Sequence, residues 1–287
     1  MDADSRAGPG KRRAKLIAMV NVKARPRSPR LLPFIKSLHY HETEVPTGLE
    51  RIMPTGQAHV LVNLAEDEFR TYDRAHPEEV IRHRGAILAG PHSQSTILDA
   101  AQMRRLAAIE FRPGGAGHFL GIPANDACNQ VLNLDDVWGP MGAAFRERLL
   151  DACSPQERFA IAEALLLERL ELEFDPAVAW AIAALDRGMR VSEVASALGL
   201  LPRTLERRFM LKVGLTPKRY ARVRRLQRVM RDIRNSPVRD WSSLAAQHGY
   251  CDQSHLVHEF RELADITPSA YKPHSPARNN HVPLTAR

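Results

Sequence analysis

Side chains able to bind DNA bases and phosphates occur in two stretches of the C-terminal third of the chain. The candidates are Arg203, Glu206 and Arg207 in the first stretch, and Gln253, Ser254, His258 and Arg261 in the second. Arginine can donate two hydrogen bonds to a guanine edge, glutamine can pair with adenine, and a carboxylate can accept from cytosine. Serine and basic side chains also bind phosphate. The sequence therefore predicts two DNA-contacting surfaces, with Arg207 as the best candidate for a guanine contact.

The two stretches belong to an internal repeat. Leu205, Phe209, Thr216-Pro217 and Tyr220 recur as Leu256, Phe260, Thr267-Pro268 and Tyr271, an offset of 51 residues in each case (256 − 205, 271 − 220). Upstream, Ala195 and Gly199 recur 50 residues later as Ala245 and Gly249. A small residue where two helices cross and a glycine at the turn are typical of a helix-turn-helix. Two copies with the same pattern make this a stronger indication than one.

A long helix is predicted between the copies, from about Thr216 to Arg234. Its apolar residues form one stripe, and arginines cover the remaining faces. A helix of about 19 residues is about 28 Å long. This length approaches the roughly 34 Å of one DNA turn, so two recognition helices could enter successive major grooves on one face. Arg225 on this helix is predicted to contact phosphate.

The segment from about Pro176 to His274 resembles the DNA-binding domain of the AraC/XylS family of transcription regulators. The resemblance depends most on Gly249–Phe260 and Thr267–Tyr271. It implies a cytoplasmic, sequence-specific regulator of transcription that binds double-stranded DNA. Both an activator and a repressor stay open, and RNA polymerase is a further partner if the protein is an activator. Two positions depart from the family pattern. Asp265 stands where the family usually has glycine, which predicts a strained or different turn, and His258 stands where arginine is frequent.

Charge divides the chain into blocks. Residues 176–287 hold 19 Lys and Arg against 9 Asp and Glu, residues 31–175 hold 13 against 22, and residues 1–30 hold 9 against 2. A basic block attracts polyanions because neutralising phosphates releases counterions. We expect residues 1–30 to be a disordered basic arm and residues 275–287 to be a tail.

Residues 31–172 predict a β-rich front domain with helices at its end, so that the fold class is α+β with several domains. Predicted strands lie at 51–53, 59–64, 69–72, 80–82, 86–88, 95–98 and 106–111, separated by turn residues. Predicted helices lie at 116–120, 140–151 and 155–171. Short strands punctuated by turns indicate a small barrel or sandwich.

The front domain also carries a family resemblance. Ile109–Ala116, together with Leu134-Asp135-Asp136, is similar to the cupin-like front domain of one AraC-type subgroup. This similarity implies a sensor of a small-molecule effector or a homodimerisation domain. It implies no particular ligand.

Other classes of function stay open at this point. Six histidines of the front domain could line a metal-binding barrel, but their spacing gives no complete ligand pattern, so no metal or cofactor is expected; they are His39, His41, His59, His83, His92 and His118. No nucleophile elbow, phosphate-binding loop or dinucleotide fingerprint is present, so no catalytic residue and no enzyme are expected. The alternatives are a metal- or small-molecule-dependent barrel enzyme with a basic helical appendage, and a helical-hairpin adaptor that binds protein.

Cysteines and hydropathy bear on the compartment. Cys128, Cys153 and Cys251 are far apart, which favours a reducing cytosol over a disulfide framework. No apolar run approaches the roughly 20 residues of a membrane span, so no membrane partner is expected.

Overall fold

The front part of the chain is rich in antiparallel strands. A computed structural model describes residues 20–43, 48–236, 238, 240–275 and 278–284. The strands of these residues are β1 Val20–Ala24, β2 Ile35–Glu42, β3 Leu49–Ile52, β4 His59–Asn63, β5 Glu68–Tyr72, β6 Val80–Arg84, β7 Ala86–Ala89, β8 Thr96–Asp99, β9 Arg105–Phe111, β10 Val131–Asn133 and β11 His281–Pro283.

These strands form two separate sheets. A six-stranded sheet has the order β1-β2-β9-β4-β7-β10, and a five-stranded sheet has the order β11-β3-β8-β5-β6. All strand pairs of both sheets are antiparallel. The described strands do not close into one barrel. Two facing antiparallel sheets agree with the predicted cupin-like front domain. The predicted α+β fold class is confirmed.

One face of the six-stranded sheet is covered by helices. The helices are α1 Leu134–Trp138, α2 Pro140–Asp151 and α3 Pro155–Arg169. Their apolar residues, among them Phe145 and Leu166, pack on strand residues such as Val60 and Ile109. Alternation along the strands explains this arrangement, because every second side chain points to the same face. The opposite face points towards the second sheet and carries the polar residues described below.

The predicted arm at the start of the chain is partly wrong. Residues 1–19 lie outside the described residues, but Val20–Ala24 form β1 and pair with β2. Val20, Val22 and Ala24 alternate with Asn21 and Lys23, and the apolar set packs against the front core. Alternation of this kind favours an edge strand even in a basic segment. The front domain therefore begins ten or so residues earlier than predicted.

The C-terminal part is helical, as predicted. Its helices are α4 Pro176–Asp186, α5 Val191–Ala197, α6 Pro202–Val213, α7 Pro217–Asn235, α8 Trp241–Gln247 and α9 Gln253–Ala264. One core joins α4, α5, α6 and the start of α7. A second core joins the rest of α7 with α8 and α9. The predicted tail does not stay apart from the fold, since β11 pairs with β3 of the front domain.

Candidate nucleic-acid interface

The first helix-turn-helix unit consists of α5 and α6, joined by a turn at Gly199. This glycine has φ 62°, a left-handed conformation that costs glycine little. Val194 and Ala195 of α5 share a core with Leu205 and Phe209 of α6, and all four are at most 3% exposed. The small side chain of Ala195 lets the two helices cross closely. The buried face of α6 leaves its opposite face free.

The second unit, α8 and α9, repeats this plan. Gly249 makes the turn with φ 73°, and Ala245, Leu256 and Phe260 are fully buried. The carboxylate of Asp252 accepts a hydrogen bond from the backbone N–H of His255 at 2.7 Å and so caps α9. The repeat found in the sequence therefore corresponds to two equivalent structural units.

The predicted base-contacting residues lie on the outer surfaces of the two second helices. Arg203, Glu206 and Arg207 are exposed on the first half of α6. On α9 the exposed set is Gln253, Ser254, His258 and Arg261. Arg203 and Arg207 are four residues apart, as are Ser254 and His258, so each pair lies on one face of its helix.

The arginines of this set have no polar partner in the part of the chain that the structure describes. Among the described residues, the side chains of Arg203, Arg207 and Arg261 make neither a hydrogen bond nor an ion pair. Each guanidinium is therefore available to an external acceptor, such as a base edge or a phosphate.

Arg225 is placed differently from the other candidates. Its guanidinium donates hydrogen bonds to the carboxylate of Glu259 at 2.6 and 3.0 Å and lies 4.2 Å from the centre of the Tyr250 ring. Glu259 is only 4% exposed and also pairs with Arg222 at 2.8 Å. Burial raises the pKa of Glu259, but the hydrogen bonds from the two arginines lower it by more than burial raises it. The pKa of Glu259 therefore lies below its ordinary value. These contacts give Arg225 a role in holding α9 against α7.

A basic cleft of about 570 Å³ runs along α7 between the start of α5 and the helix α9. Its basic lining residues are Arg190, Lys218, Arg222, Arg225, Arg228, His248, His255 and His258, and Glu259 is its acidic one. The backbone carbonyl of Asp186 accepts a hydrogen bond from Arg228 at 3.1 Å. Burial and the neighbouring charges of Arg224 and Arg225 lower the pKa of Arg228, a sign of concentrated positive charge. Such a surface suits a phosphate backbone.

The helix between the two units has the predicted length. α7 spans 19 residues, which corresponds to about 28 Å. Thr216 accepts a hydrogen bond from the backbone N–H of Arg219 and begins the helix, and Pro217 occupies its first turn. The apolar stripe is fully buried at Val223 and Leu226. A single rigid element therefore joins the two units.

The front domain contains a second polar feature, a cavity of about 680 Å³ lined by both domains. On the strand side it is lined by His39, His41, His59 and Glu110. Arg224 and Gln227 of α7 line it from the C-terminal domain, and residues 278–281 line it from the tail. A molecule bound there would touch the DNA-binding part directly.

The titratable groups of this cavity have shifted pKa values. Burial lowers the pKa of His39 and of His59 to about 4, so both imidazoles are neutral near pH 7. Glu110 receives hydrogen bonds from Lys36 and Ser37, which outweigh its burial and lower its pKa to about 2. The Nε2 atom of His39 is buried and has no hydrogen-bond partner among the described residues. The same residues contain no group of three or more His, Cys, Asp or Glu side chains arranged to hold a metal ion.

Comparisons with known proteins agree with this description of the C-terminal domain. Residues 183–274 match the family described as a helix-turn-helix domain, and residues 23–133 match a domain of unknown function, DUF6597. No curated protein matches the sequence significantly. No helix of the described residues has the length and apolar character that crossing a membrane requires.

Solved structures show distant likeness only. ToxT from Vibrio cholerae O395 has 12% identity and a TM-score of 0.41, with 82% of this chain and 95% of ToxT covered. ToxT from strain SCE256 with a bound unsaturated fatty acid has 11% identity and a TM-score of 0.40, with 82% and 92% covered. The xylose-binding transcription activator xylR has 19% identity and a TM-score of 0.27, with 40% and 37% covered.

The two helix-turn-helix units and the family match define the class: the protein is a DNA-binding transcription regulator. Its DNA-binding domain is of the AraC type, with two units joined by one long helix, and the resemblance seen in the sequence is confirmed.

Asp265 is the residue whose role the sequence did not reveal. Its backbone is left-handed, with φ 60° and ψ 19°, and its carboxylate pairs with Arg51 of the front domain at 2.7 Å. Aspartate tolerates this conformation better than most residues. The equivalent residue of the first unit, Gly214, has φ 85°. The repeat could have predicted the backbone conformation of Asp265, but not its distant partner.

Proposed function

We propose that the protein is a sequence-specific regulator that places α6 and α9 in successive major grooves on one face of duplex DNA. The observation that carries this proposal is the exposure, on both helices, of polar and basic side chains that make no hydrogen bond or ion pair with any described residue. The length of α7, about 28 Å, supports it because successive grooves are roughly 34 Å apart.

The exposed side chains have separate roles in this proposal. Arg207 donates two hydrogen bonds to a guanine, and Gln253 pairs with an adenine. Glu206 accepts a hydrogen bond from a cytosine. Arg203, Ser254, His258 and Arg261 bind phosphate or neighbouring base edges.

Arg225 contributes to DNA binding indirectly in this proposal. Its contact with Glu259 holds α9 on α7, and its charge adds to the basic cleft. The nearby Lys218 is exposed and lines the same cleft. Lys218 is therefore better placed than Arg225 for a phosphate contact.

The front domain senses a small molecule in this proposal. The cavity that it shares with α7 supports this role, because a ligand there would contact Arg224 and Gln227 directly. Lys23 and Lys36 on the cavity wall both pair with Glu110, but the described lining holds five basic residues against the two acidic residues Glu110 and Asp186. This excess of positive charge favours a small polar ligand with an acidic group. Homodimerisation is the other role proposed for the front domain, and RNA polymerase is the further partner if the protein activates. As a cytoplasmic regulator, the protein needs no catalytic residue.

Selection of bound fragments from a genomic DNA library tests the DNA-binding proposal. We expect enrichment of a site with two half-sites about one helical turn apart. Binding that is equal for all sequences, or absent, would refute the proposal.

Thermal unfolding with a panel of small carboxylates and their neutral amides tests the sensor. We expect at least one carboxylate, and not its amide, to stabilise the protein against unfolding. Sedimentation at several protein concentrations tests whether the protein forms a dimer.

A further inference from the structure

Both recognition helices end in a residue that lies against the front domain. Gly214 directly follows α6 and Asp265 directly follows α9 as their C-terminal caps, and the two positions are equivalent in the repeat. Both residues have left-handed backbone, with φ 85° and φ 60°. Each helix end contacts the front domain, but the kind of contact differs between the two ends.

At Gly214 the contact is close approach of the backbone. A Cβ atom on this glycine would lie 2.5 Å from Cγ of Pro91 and 2.6 Å from the carbonyl oxygen of Ala124. A Cβ on Gly117 would lie 3.0 Å from the carbonyl oxygen of Lys212, in the last turn of α6. The C-terminal end of α6 thus rests directly on front-domain backbone.

At Asp265 the contact is electrostatic. Its Oδ2 atom lies 2.7 Å from Nη1 of Arg51 on β3, and its Oδ1 atom lies 3.8 Å from Nη2 of Arg74. The Arg51 side chain is only 10% exposed, so this ion pair is partly sheltered from solvent. In addition, the N–H of Ser95 donates a hydrogen bond to the carbonyl oxygen of Leu263 at 2.8 Å.

The front domain also supplies part of the core of the second unit. Met53, 1% exposed, follows β3 and packs in the same core as Leu226 and Val229 of α7. Val282 of β11 joins this core. The side chain of Gln227 donates a hydrogen bond to the carbonyl oxygen of Pro54 at 2.7 Å. The second unit is therefore built on β3 and its neighbours.

We infer that the front domain fixes the two recognition helices relative to each other, with Asp265 as the positioning residue for α9. This inference rests on the proposed DNA-binding function. Two helices held at a fixed distance bind only one spacing between half-sites, because both helices must enter their major grooves at the same time. Loss of the Asp265 contact loosens the C-terminal end of α9, and the variant then discriminates less against sites with one base pair more or less.

The experiment compares wild type with Asp265→Asn in the full chain. Asparagine keeps the shape and tolerates left-handed backbone, but it removes the charge. The probes are the selected operator and two versions with one base pair inserted or deleted between the half-sites. We expect wild type to lose about tenfold or more in affinity on the altered probes, and Asp265→Asn to lose about threefold or less. Affinity of the variant for the unaltered operator stays within about threefold of wild type.

Controls separate this inference from the proposed function. Asp151→Asn removes an exposed carboxylate that has no side-chain partner among the described residues, and it keeps the wild-type preference for spacing. If Asp265→Asn does not fold, Asp265→Gly serves the same purpose, since glycine adopts the left-handed conformation without strain. Hydrogen exchange without DNA gives an independent measurement, in which amides of α9 exchange faster in the variant.

The outcomes point in different directions. A wild-type protein that enriches no site refutes the proposed function, whatever the exchange data show. A wild-type protein that binds its site, combined with a variant that discriminates spacing equally and exchanges equally, refutes the inference alone. Relaxed spacing together with faster exchange in α9 supports it.

Discussion

Positions 208 and 259 occupy the same place in the two units, yet one is arginine and the other is glutamate. Arg208 is 35% exposed and donates hydrogen bonds to Asp175, the residue that caps α4, at 2.6 and 2.8 Å. Glu259 is 4% exposed and accepts hydrogen bonds from Arg222 and Arg225 of α7. The ion pair of Arg208 therefore joins the first unit to the start of the preceding helix, α4. The ion pairs of Glu259 join the second unit to the long helix between the units, α7.

The ends of the two units differ in a related way. Thr216 and Thr267 each accept a hydrogen bond from the N–H three residues later, and a proline follows each. After Thr216 the chain continues as the 19 residues of α7, whereas after Thr267 it makes a single turn of 3₁₀ helix. The comparison teaches that the repeat specifies the local fold, while the contacts outside the repeat decide what each unit is fixed to.

The largest effect is expected from removing the equivalent core rings. Phe209 and Phe260 are both fully buried, so Phe209→Ala and Phe260→Ala should each cost about 3–5 kcal/mol of unfolding free energy. Leu211→Ala, at a side chain 44% exposed, is the control and should change stability by less than about 0.5 kcal/mol. Urea unfolding of the full chain measures all three.

The two phenylalanine variants also test whether the units are equally independent. The core of the second unit includes Met53 of the front domain, so Phe260→Ala should expose amides of β3 to faster hydrogen exchange. Phe209→Ala should affect mainly α5 and α6. Equal exchange in β3 for both variants would contradict the difference drawn between the units.

Local patterns in the sequence were enough to predict the repeated units. Helix positions followed from apolar spacing around Leu205 and Leu256, and turn positions followed from Gly199 and Gly249. The exposure of Arg207 and Gln253 followed from the same spacing, because the buried face determines the free one. Several strands of the front domain were predicted from alternation and turn residues in the same way.

Contacts between distant parts of the chain could not be predicted. Asp265 and Arg51 are far apart in sequence, as are β11 and β3, and no local period relates them. The sequence singled out the histidines of the front domain, but it could not show that His39 and His59 line one cavity, because they meet only after β2, β9 and β4 pair. Helix periodicity places Arg225 outside the apolar stripe of α7, but it cannot reveal that the carboxylate of Glu259 on another helix pairs with it.

The next largest effect is expected at positions 208 and 259 themselves. Glu259→Gln leaves Arg225 and Arg222 without their shared buried carboxylate and should cost about 2–3 kcal/mol. Arg208→Gln breaks a more exposed pair and should cost less than about 1 kcal/mol. Thermal unfolding of both variants gives the comparison, and equal losses would show that burial does not distinguish the two pairs.

DNA recognition should also differ between equivalent positions 207 and 258. Arg207→Ala removes a bidentate donor and should cost about 1–3 kcal/mol at one base pair of the operator, with the preference for guanine lost there. His258→Ala should cost less, because an imidazole ring has fewer N–H donors than a guanidinium and cannot make the same two parallel hydrogen bonds to a guanine edge. Fluorescence anisotropy on operators changed one base pair at a time measures both. A wild-type base preference in Arg207→Ala would remove this residue from the readout.

The smallest expected effect is a difference in acid sensitivity between the units. Burial raises the pKa of Glu259, but its arginine partners lower it below the ordinary value of 4.5. A carboxylate whose pKa is lower in the folded state stabilises the fold above its unfolded pKa, and this contribution is lost as the pH falls through the folded value. With respect to this group, the stability of the second unit should therefore stay constant from pH 7 to about pH 4.5 and fall at more acidic pH.

Glu259→Gln identifies the group responsible for this loss. Its glutamine does not titrate, so the difference in unfolding free energy between wild type and variant should shrink as the pH falls below about 4.5. Burial raises the pKa of Asp175, but the hydrogen bonds that it accepts from Arg208 and from backbone N–H groups outweigh this and leave the pKa below its ordinary value of 3.8. Arg208→Gln should nevertheless show a smaller change, because Arg208 is the more exposed partner. A constant difference for Glu259→Gln between pH 7 and pH 3 would mean that its carboxylate binds protons equally in the folded and unfolded chain. The two units would then differ in geometry and not in charge.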